Sequence, residues 1–278
     1  PTRFKISSFD LFFDSVEMGL PDSTINIDQG GSGVKGELTS AYTSVAGGLV
    51  AKLNTLGSQL GNELKATITN VKASELSTLN TDGTKDAITI TLNDEAVANA
   101  SDLVTIDGKT NVLVNALNIG DIKDTFANID NIITVTATPD AGVDLDGNFT
   151  STITTNVTGD ATNVAKVNTI GAQTPGVVTA TIAEGAVGDL DNLTTAGTDA
   201  IGVTLAASAA TAKQLNTIDG ATANIVDATK ITSVTADRTA NNDLDDLITA
   251  TNDTGVNVSE GTVDVTVTGN ALVANAGN

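Results

Sequence analysis

Apolar residues recur at Leu38, Tyr42, Val45, Leu49, Leu53, Leu56, Leu60 and Leu64, at intervals of three and four, which marks one face of an α-helix. Gly47 and Gly48 weaken that helix by about 1 kcal/mol each, and Gly57 is read as its C-terminal stop. The face is suited to packing on the helix's own sheet or on another subunit. Further on, the period shortens to two. Val178, Ala180 and Ile182 alternate with polar residues, as do Val112 and Val114, and strands are predicted there. Strands are also predicted at Ala87–Leu92, Ile132–Ala137, Ala200–Leu205, Gly255–Ser259 and Thr262–Thr268. Apolar pairs between these runs predict short helices: Leu76/Leu79, Ile129/Ile132, Leu190/Leu193 and Leu244/Leu247.

One phrase recurs within this pattern. It reads AKLNTLG at Ala51–Gly57, SDLVTIDG at Ser101–Gly108, AKVNTIG at Ala165–Gly171 and AKQLNTIDG at Ala212–Gly220. Its anchors Leu53, Leu103, Val167 and Leu215 are 50, 64 and 48 positions apart, and Ala51–Leu79 aligns without a gap on Ala165–Leu193. Each copy reads as a short helix followed by a strand. A unit of that size cannot bury its own apolar side, but stacked units bury a continuous core. The expected fold class is α/β: a solenoid-like repeat array of short helices alternating with strands over residues 36–278, with repeats starting near 51, 101, 165 and 212. A mainly β string of small units, with the phrase helices as connectors, is the alternative.

Residues 1–35 differ in composition. Four of the six Phe lie here, Phe4, Phe9, Phe12 and Phe13, with Ile6, Leu11 and Met18 among them. Asp10, Asp14 and Glu17 interrupt the apolar run and no small-residue cleavage site follows, so the segment is not read as a signal peptide. Buried aromatic and aliphatic side chains contribute about 1.5–3 kcal/mol each, and the rest of the chain is poor in aromatics. The segment is expected to be an extended docking arm through Phe4, Ile6, Phe9, Leu11, Phe12, Phe13 and Met18, seated on a neighbouring subunit or folded back on its own body. Gly31–Gly36 fits G-x-G-x-x-G, but the region about 20 residues on is the phrase helix rather than the acidic strand end a dinucleotide site needs. It is read as a hinge.

Charge and missing residue types narrow the chemistry. The net charge is −21, from 34 acidic and 13 basic residues. That disfavours nucleic acid and anionic membrane surfaces and favours cations. The chain has no Cys and no His, which excludes thiol nucleophiles, disulfides, Zn–Cys sites and imidazole bases. Aromatics are 3% of residues and Trp is absent, so sugar platforms are lacking. No S-x-x-K motif supports a Ser–Lys pair. No apolar run is long enough to insert in a membrane. Two stretches space oxygen ligands as calcium loops do: Asn80, Asp82, Thr84 and Asp86, and Asp144, Asp146 and Asn148. Both lack a distal bidentate Glu. Ca²⁺ is the one cofactor considered. The cluster Asp243, Asp245 and Asp246 reads as a solvated helix start.

The phrases LNTIDGATANIVDATKITSV and DLVTIDGKTNVLVNAL resemble the Ala/Thr-rich tandem repeats of large bacterial surface proteins, particularly cyanobacterial and RTX-type secreted adhesins. They are similar too to repeats in structural virion proteins of phages that infect such bacteria. The resemblance spans about residues 50–250 and implies a non-catalytic structural or adhesive role outside the cell, on its surface or in a virion. Glycine-rich nonapeptide calcium repeats are absent here. Partners are then copies of the chain, other assembly subunits, or a host or cell surface. The expected function is a structural subunit of a filament, surface layer or phage appendage. The alternative is a secreted calcium-dependent adhesin module acting as a monomer.

Overall fold

The structure, a computed structural model, describes residues 2–6, 9–13, 24–28, 35–39, 48–59, 63–93, 97–136, 142–237, 255–258 and 263–268. Strands β1 (Thr2–Ile6), β2 (Phe9–Phe13), β3 (Thr24–Asp28) and β4 (Lys35–Thr39) precede helix α1 (Gly48–Gln59). Strand β5 (Leu64–Val71), a 3-10 turn (Ala73–Leu76) and β6 (Ala87–Leu92) follow. Next come β7 (Ala98–Asn99), α2 (Ala100–Asp107), β8 (Val114–Ala116), β9 (Asp121–Asp124), α3 (Phe126–Thr136) and β10 (Val143–Leu145). The chain continues through β11 (Thr150–Ile153), β12 (Val157–Gly159), α4 (Ala161–Gln173), β13 (Val178–Gly185), α5 (Val187–Leu190) and β14 (Ala200–Leu205). It closes with β15 (Ala209–Thr211), α6 (Ala212–Asp219), β16 (Val226–Ala228), β17 (Ser233–Asp237), β18 (Val256–Val258) and β19 (Asp264–Thr268). The fold is α/β with parallel sheets, and no sheet among the described residues closes into a barrel.

The chain divides into two compact units. One comprises residues 1–94, 102–118 and 138–144; the other comprises 95–101, 119–137 and 145–278. In the first, the sheet order is β10-β8-β6-β5-β4-β3, with β3 antiparallel to β4 and the β4–β5, β5–β6 and β6–β8 pairs parallel. In the second, the main order is β18-β16-β14-β13-β11-β9-β7, with β12 also on β13, and a smaller parallel sheet runs β15-β17-β19. Parallel pairing requires long connections between neighbours, and the helices supply them.

The four copies of the phrase lie in α1, α2, α4 and α6, and their anchors Leu53, Leu103, Val167 and Leu215 are all at most 1% exposed. The local reasons are visible. Asp160 caps α4 by accepting from Thr162 N and Asn163 N, both at 3.0 Å. Thr211 and Gln214 form a capping box on α6. The core is built from Val, Ile, Leu and Ala, and Phe149 is the one aromatic among the buried described residues. Strands β5 and β13 carry the same irregularity near their ends, between Thr69 and Val71 and between Ile182 and Gly185. In β5 it places Asn70 at φ 60, a left-handed conformation that Asn tolerates better than most residues.

Several expectations need correction. Leu38 is in strand β4 and Leu64 opens β5, so neither belongs to the helical face; Leu49, Leu53 and Leu56 lie in α1, and Tyr42, Val45 and Leu60 lie outside the described residues. Helix α1 runs past Gly57 to Gln59, and Gly171 is likewise inside α4. These glycines are not stops; the packing described below explains them. Ile132–Ala137 is not a strand, because residues up to Thr136 belong to α3. Ile129, Ile132 and Ile133 fall on one buried helical face, and Thr125 Oγ1 accepts from Asn128 N at 3.4 Å at its start. The 3.6-residue burial period and the cap outweigh the β-branched run. Val112 precedes its strand, which begins at Val114. The hinge motif ends within β4, at Lys35 and Gly36. The arm is not simply extended: β1 and β2 form an antiparallel hairpin, with Phe4 opposite Leu11 and Ile6 opposite Phe9. Leu244, Leu247 and the cluster Asp243, Asp245 and Asp246 lie outside the described residues.

Candidate functional site

The most developed polar arrangement in the molecule is buried and occurs twice. Asp86 has no exposed surface. Its Oδ1 accepts from Leu64 N at 3.0 Å and its Oδ2 from Asp82 N at 2.8 Å. Thr110, in the turn after α2, accepts from Ile88 N at 3.0 Å and Val112 N at 3.1 Å and donates to Ile88 O at 2.8 Å. Thr81 donates to Lys109 O at 2.6 Å. The second unit repeats each step. Asp199 accepts from Val178 N at 2.8 Å and Ala196 N at 2.9 Å. Thr222 accepts from Ile201 N at 3.1 Å and Asn224 N at 3.0 Å and donates to Ile201 O at 2.7 Å. Thr195 donates to Ala221 O at 2.6 Å.

The phrase helices connect to these latches. Asn54 donates to Thr78 O at 2.8 Å and accepts from Asn80 N at 2.6 Å; Asn168 does the same with Asn192 O and Thr194 N, both at 2.8 Å. A Cβ on Gly57 would stand 3.5 Å from Thr81 Cγ2 and 3.6 Å from Asp86 Oδ2. On Gly171 it would stand 3.1 Å from Thr195 Cγ2 and 3.7 Å from Asp199 Oδ2. A Cβ would thus fit at Gly57 in ordinary contact, whereas at Gly171 it would crowd Thr195, so glycine brings α4 close onto its latch. Each latch accepts the N–H of a strand's first residue, Leu64 or Val178, and a buried N–H left unpaired is costly. The sequence reading missed Asn54, Asn168, Thr110 and Thr222. Their signal was present, since Asn recurs in the phrase and T-x-x-Φ-V (Φ, aliphatic) recurs at Thr110, Thr174 and Thr222.

The calcium candidates sit close to or within this scheme. Asp86 is the latch carboxylate, with both oxygens on backbone N–H. Asp82 is exposed, and its Oδ1 accepts from Thr84 N at 3.0 Å and Thr84 Oγ1 at 2.7 Å. Those bonds hold its carboxyl below the usual carboxylate range. Asp227 makes the same turn with Thr229 and is lowered for the same reason. Asn80 is exposed and its Oδ1 meets Lys109 Nζ at 3.4 Å. Asp144 is in β10, and Asp146 Oδ1 accepts from Asn148 N at 3.1 Å. Among the described residues no three acidic side chains converge. Of the arm residues, Phe4 and Ile6 are in β1, and Phe9, Leu11, Phe12 and Phe13 are in β2; Met18 lies outside the described residues.

Two further carboxylates correspond. Asp107 ends α2 and Asp219 ends α6, and burial raises both. Asp107 regains part through a hydrogen bond from the Gly142 backbone. Asp219 crowds Gly255, where a Cβ would meet Oδ1 at 2.4 Å. A raised carboxyl favours its protonated form in the fold. Its contribution to stability is therefore present below the ordinary Asp pKa and lost as pH rises through the folded value. Asp219→Asn is expected to raise Tm at pH 7 and to leave it unchanged at low pH, as read by melting across a pH series. An equal shift at every pH would show that desolvation is not the cause.

No family model, curated protein or solved structure matches the chain. Among the described residues no helix is long and apolar enough to cross a membrane.

Proposed function

We propose that the chain is a non-enzymatic structural subunit of an extracellular or virion assembly, such as a filament, surface layer or phage appendage. Its helix–strand coils stack as a solenoid-like array, and its N-terminal arm joins it to a neighbour. The observation that carries this reading is the duplicated latch. The buried carboxylates Asp86 and Asp199 are spent on backbone N–H groups, and the buried hydroxyls of Thr81, Thr110, Thr195 and Thr222 bond to backbone as well. Such an arrangement holds turns; it holds no group poised to react. The ion pairs Lys166–Asp130 and Lys230–Glu184 lie at the surface, where such pairs contribute little. Leu113, Val177 and Ile225 each precede a buried Val by one residue and stay at least 36% exposed, apolar positions suited to contact with a partner.

Deletion of residues 1–20 tests the arm. The truncated chain is expected to fold with an unchanged melting curve and to lose ordered assemblies in electron micrographs. Assemblies indistinguishable from the parent's would overturn arm docking.

A further inference from the structure

We propose that β19 is a donor strand that adds to the N-terminal sheet of a second copy of this chain, alongside β5 in the place of β4. The inference deepens the assembly reading and rests on it, but not on the arm.

The argument starts from three corresponding strands. Strand β4 lies parallel to β5 with Gly36 beside Leu64, and β11 lies parallel to β13 with Ser151 beside Val178. Leu64 and Val178 are equivalent, because each gives its N–H to a latch carboxylate. On its other side β11 pairs with β9, as β19 pairs with β17. Strands β9 and β17 each start fourteen residues after the end of their phrase helices, at Asp121 after Asp107 and at Ser233 after Asp219. Strand β19 therefore stands where β11 stands. Among the described residues it lacks the neighbour that β13 is to β11, since it ends its sheet.

The side chains agree. Ser151 and Ile153 in β11 are 1% and 6% exposed, whereas the matching Val265 and Val267 in β19 are 56% and 48% exposed. Natural edge strands are guarded by Lys, Pro, bulges or short length. The run DVTVT has no Lys, Pro or bulge, its one charge is Asp264 at its start, and Val and Thr alternate over the four residues that follow. The β4 run KGELT carries Gly and two charged residues, which are poor in strands, whereas Val and Thr are good ones. Exchange replaces a weak strand by a strong one in the same register: Val265 beside Leu64, Thr266 beside Lys65, Val267 beside Ala66. A contact of β19 on one copy with β5 on the next joins unlike surfaces, so it builds a linear polymer unless the rotation between copies closes it into a ring.

The chain has no cysteine, so introduced pairs report the register. Oxidised Thr266→Cys/Lys65→Cys protein is expected to run as a reducible ladder on non-reducing gels. Glu37→Cys/Lys65→Cys, which ties β4 to β5 within one copy, is expected to be monomeric by light scattering. Val265→Lys/Val267→Lys should lose assembly with an unchanged melting curve. A Thr266→Cys/Lys65→Cys protein that stays monomeric, a ladder from Thr266→Cys/Asn26→Cys instead (pairing at the β3 edge), or assembly by the tied variant would each overturn the exchange. The deletion of residues 1–20 leaves all three strands in place. Loss of assembly in that deletion alone would indict the arm, and loss in the β19 variants alone would indict strand addition.

Discussion

Replacing Asp199 with Ala is expected to lower the unfolding free energy by about 2–6 kcal/mol. The variant leaves Val178 N and Ala196 N without an acceptor, in a place where Asp199 is 3% exposed and water does not substitute. Each orphaned buried donor costs about 1–3 kcal/mol. Asp199→Asn keeps one acceptor oxygen and presents an NH₂ group to the other donor, so it should recover only part of the loss. Urea titration reads this as a lower midpoint with an unchanged slope. Asp86→Ala should act equally on the first unit. If Asp199→Ala unfolds at the parent's midpoint, the latch is not what holds the strand start, and the structural reading built on it fails.

Leu215→Ala is the second large effect. Leu215 anchors its copy of the phrase with no exposed surface, between buried Ala212 and Ile218. Truncation removes buried methyl groups and leaves a cavity, at about 2–5 kcal/mol. Exposed Lys213, two residues away, provides the contrast: Lys213→Ala should stay within about 0.5 kcal/mol. Comparable losses from both would mean that α6 is held by something other than its buried side.

Much of the fold was readable along the chain. The anchor spacing located four helices, and the two-residue alternation located β6, β14, β18 and β19 within one or two residues and the start of β13 at Val178. The reading failed where two local signals competed. At Ile132–Thr136 a β-branched run promised a strand, and a capped helix with a buried isoleucine face took it. At Gly57 and Gly171 glycine promised a stop, yet both helices run on; a Cβ at Gly171 would crowd Thr195, while one at Gly57 would make ordinary contact with Thr81. In the loop Asn80–Asp86 the alternating oxygens were legible, but not that Asp86 faces a backbone donor as distant in sequence as Leu64, 22 positions back.

The amino-acid order alone determined the four phrase helices and the strands of clearest alternation, with the side chains that turn inward in them, because those depend on a period of two or 3.6 residues. The tertiary structure decided what the buried Asp and Thr do, why a side chain at Gly171 would crowd Thr195, and which strand ends its sheet among the described residues. Each of these turns on partners 20 or more residues away, such as Thr110 with Ile88 and Asp199 with Val178. No local pattern encodes such a partner. It exists only once the strands lie side by side and water has been excluded from between them.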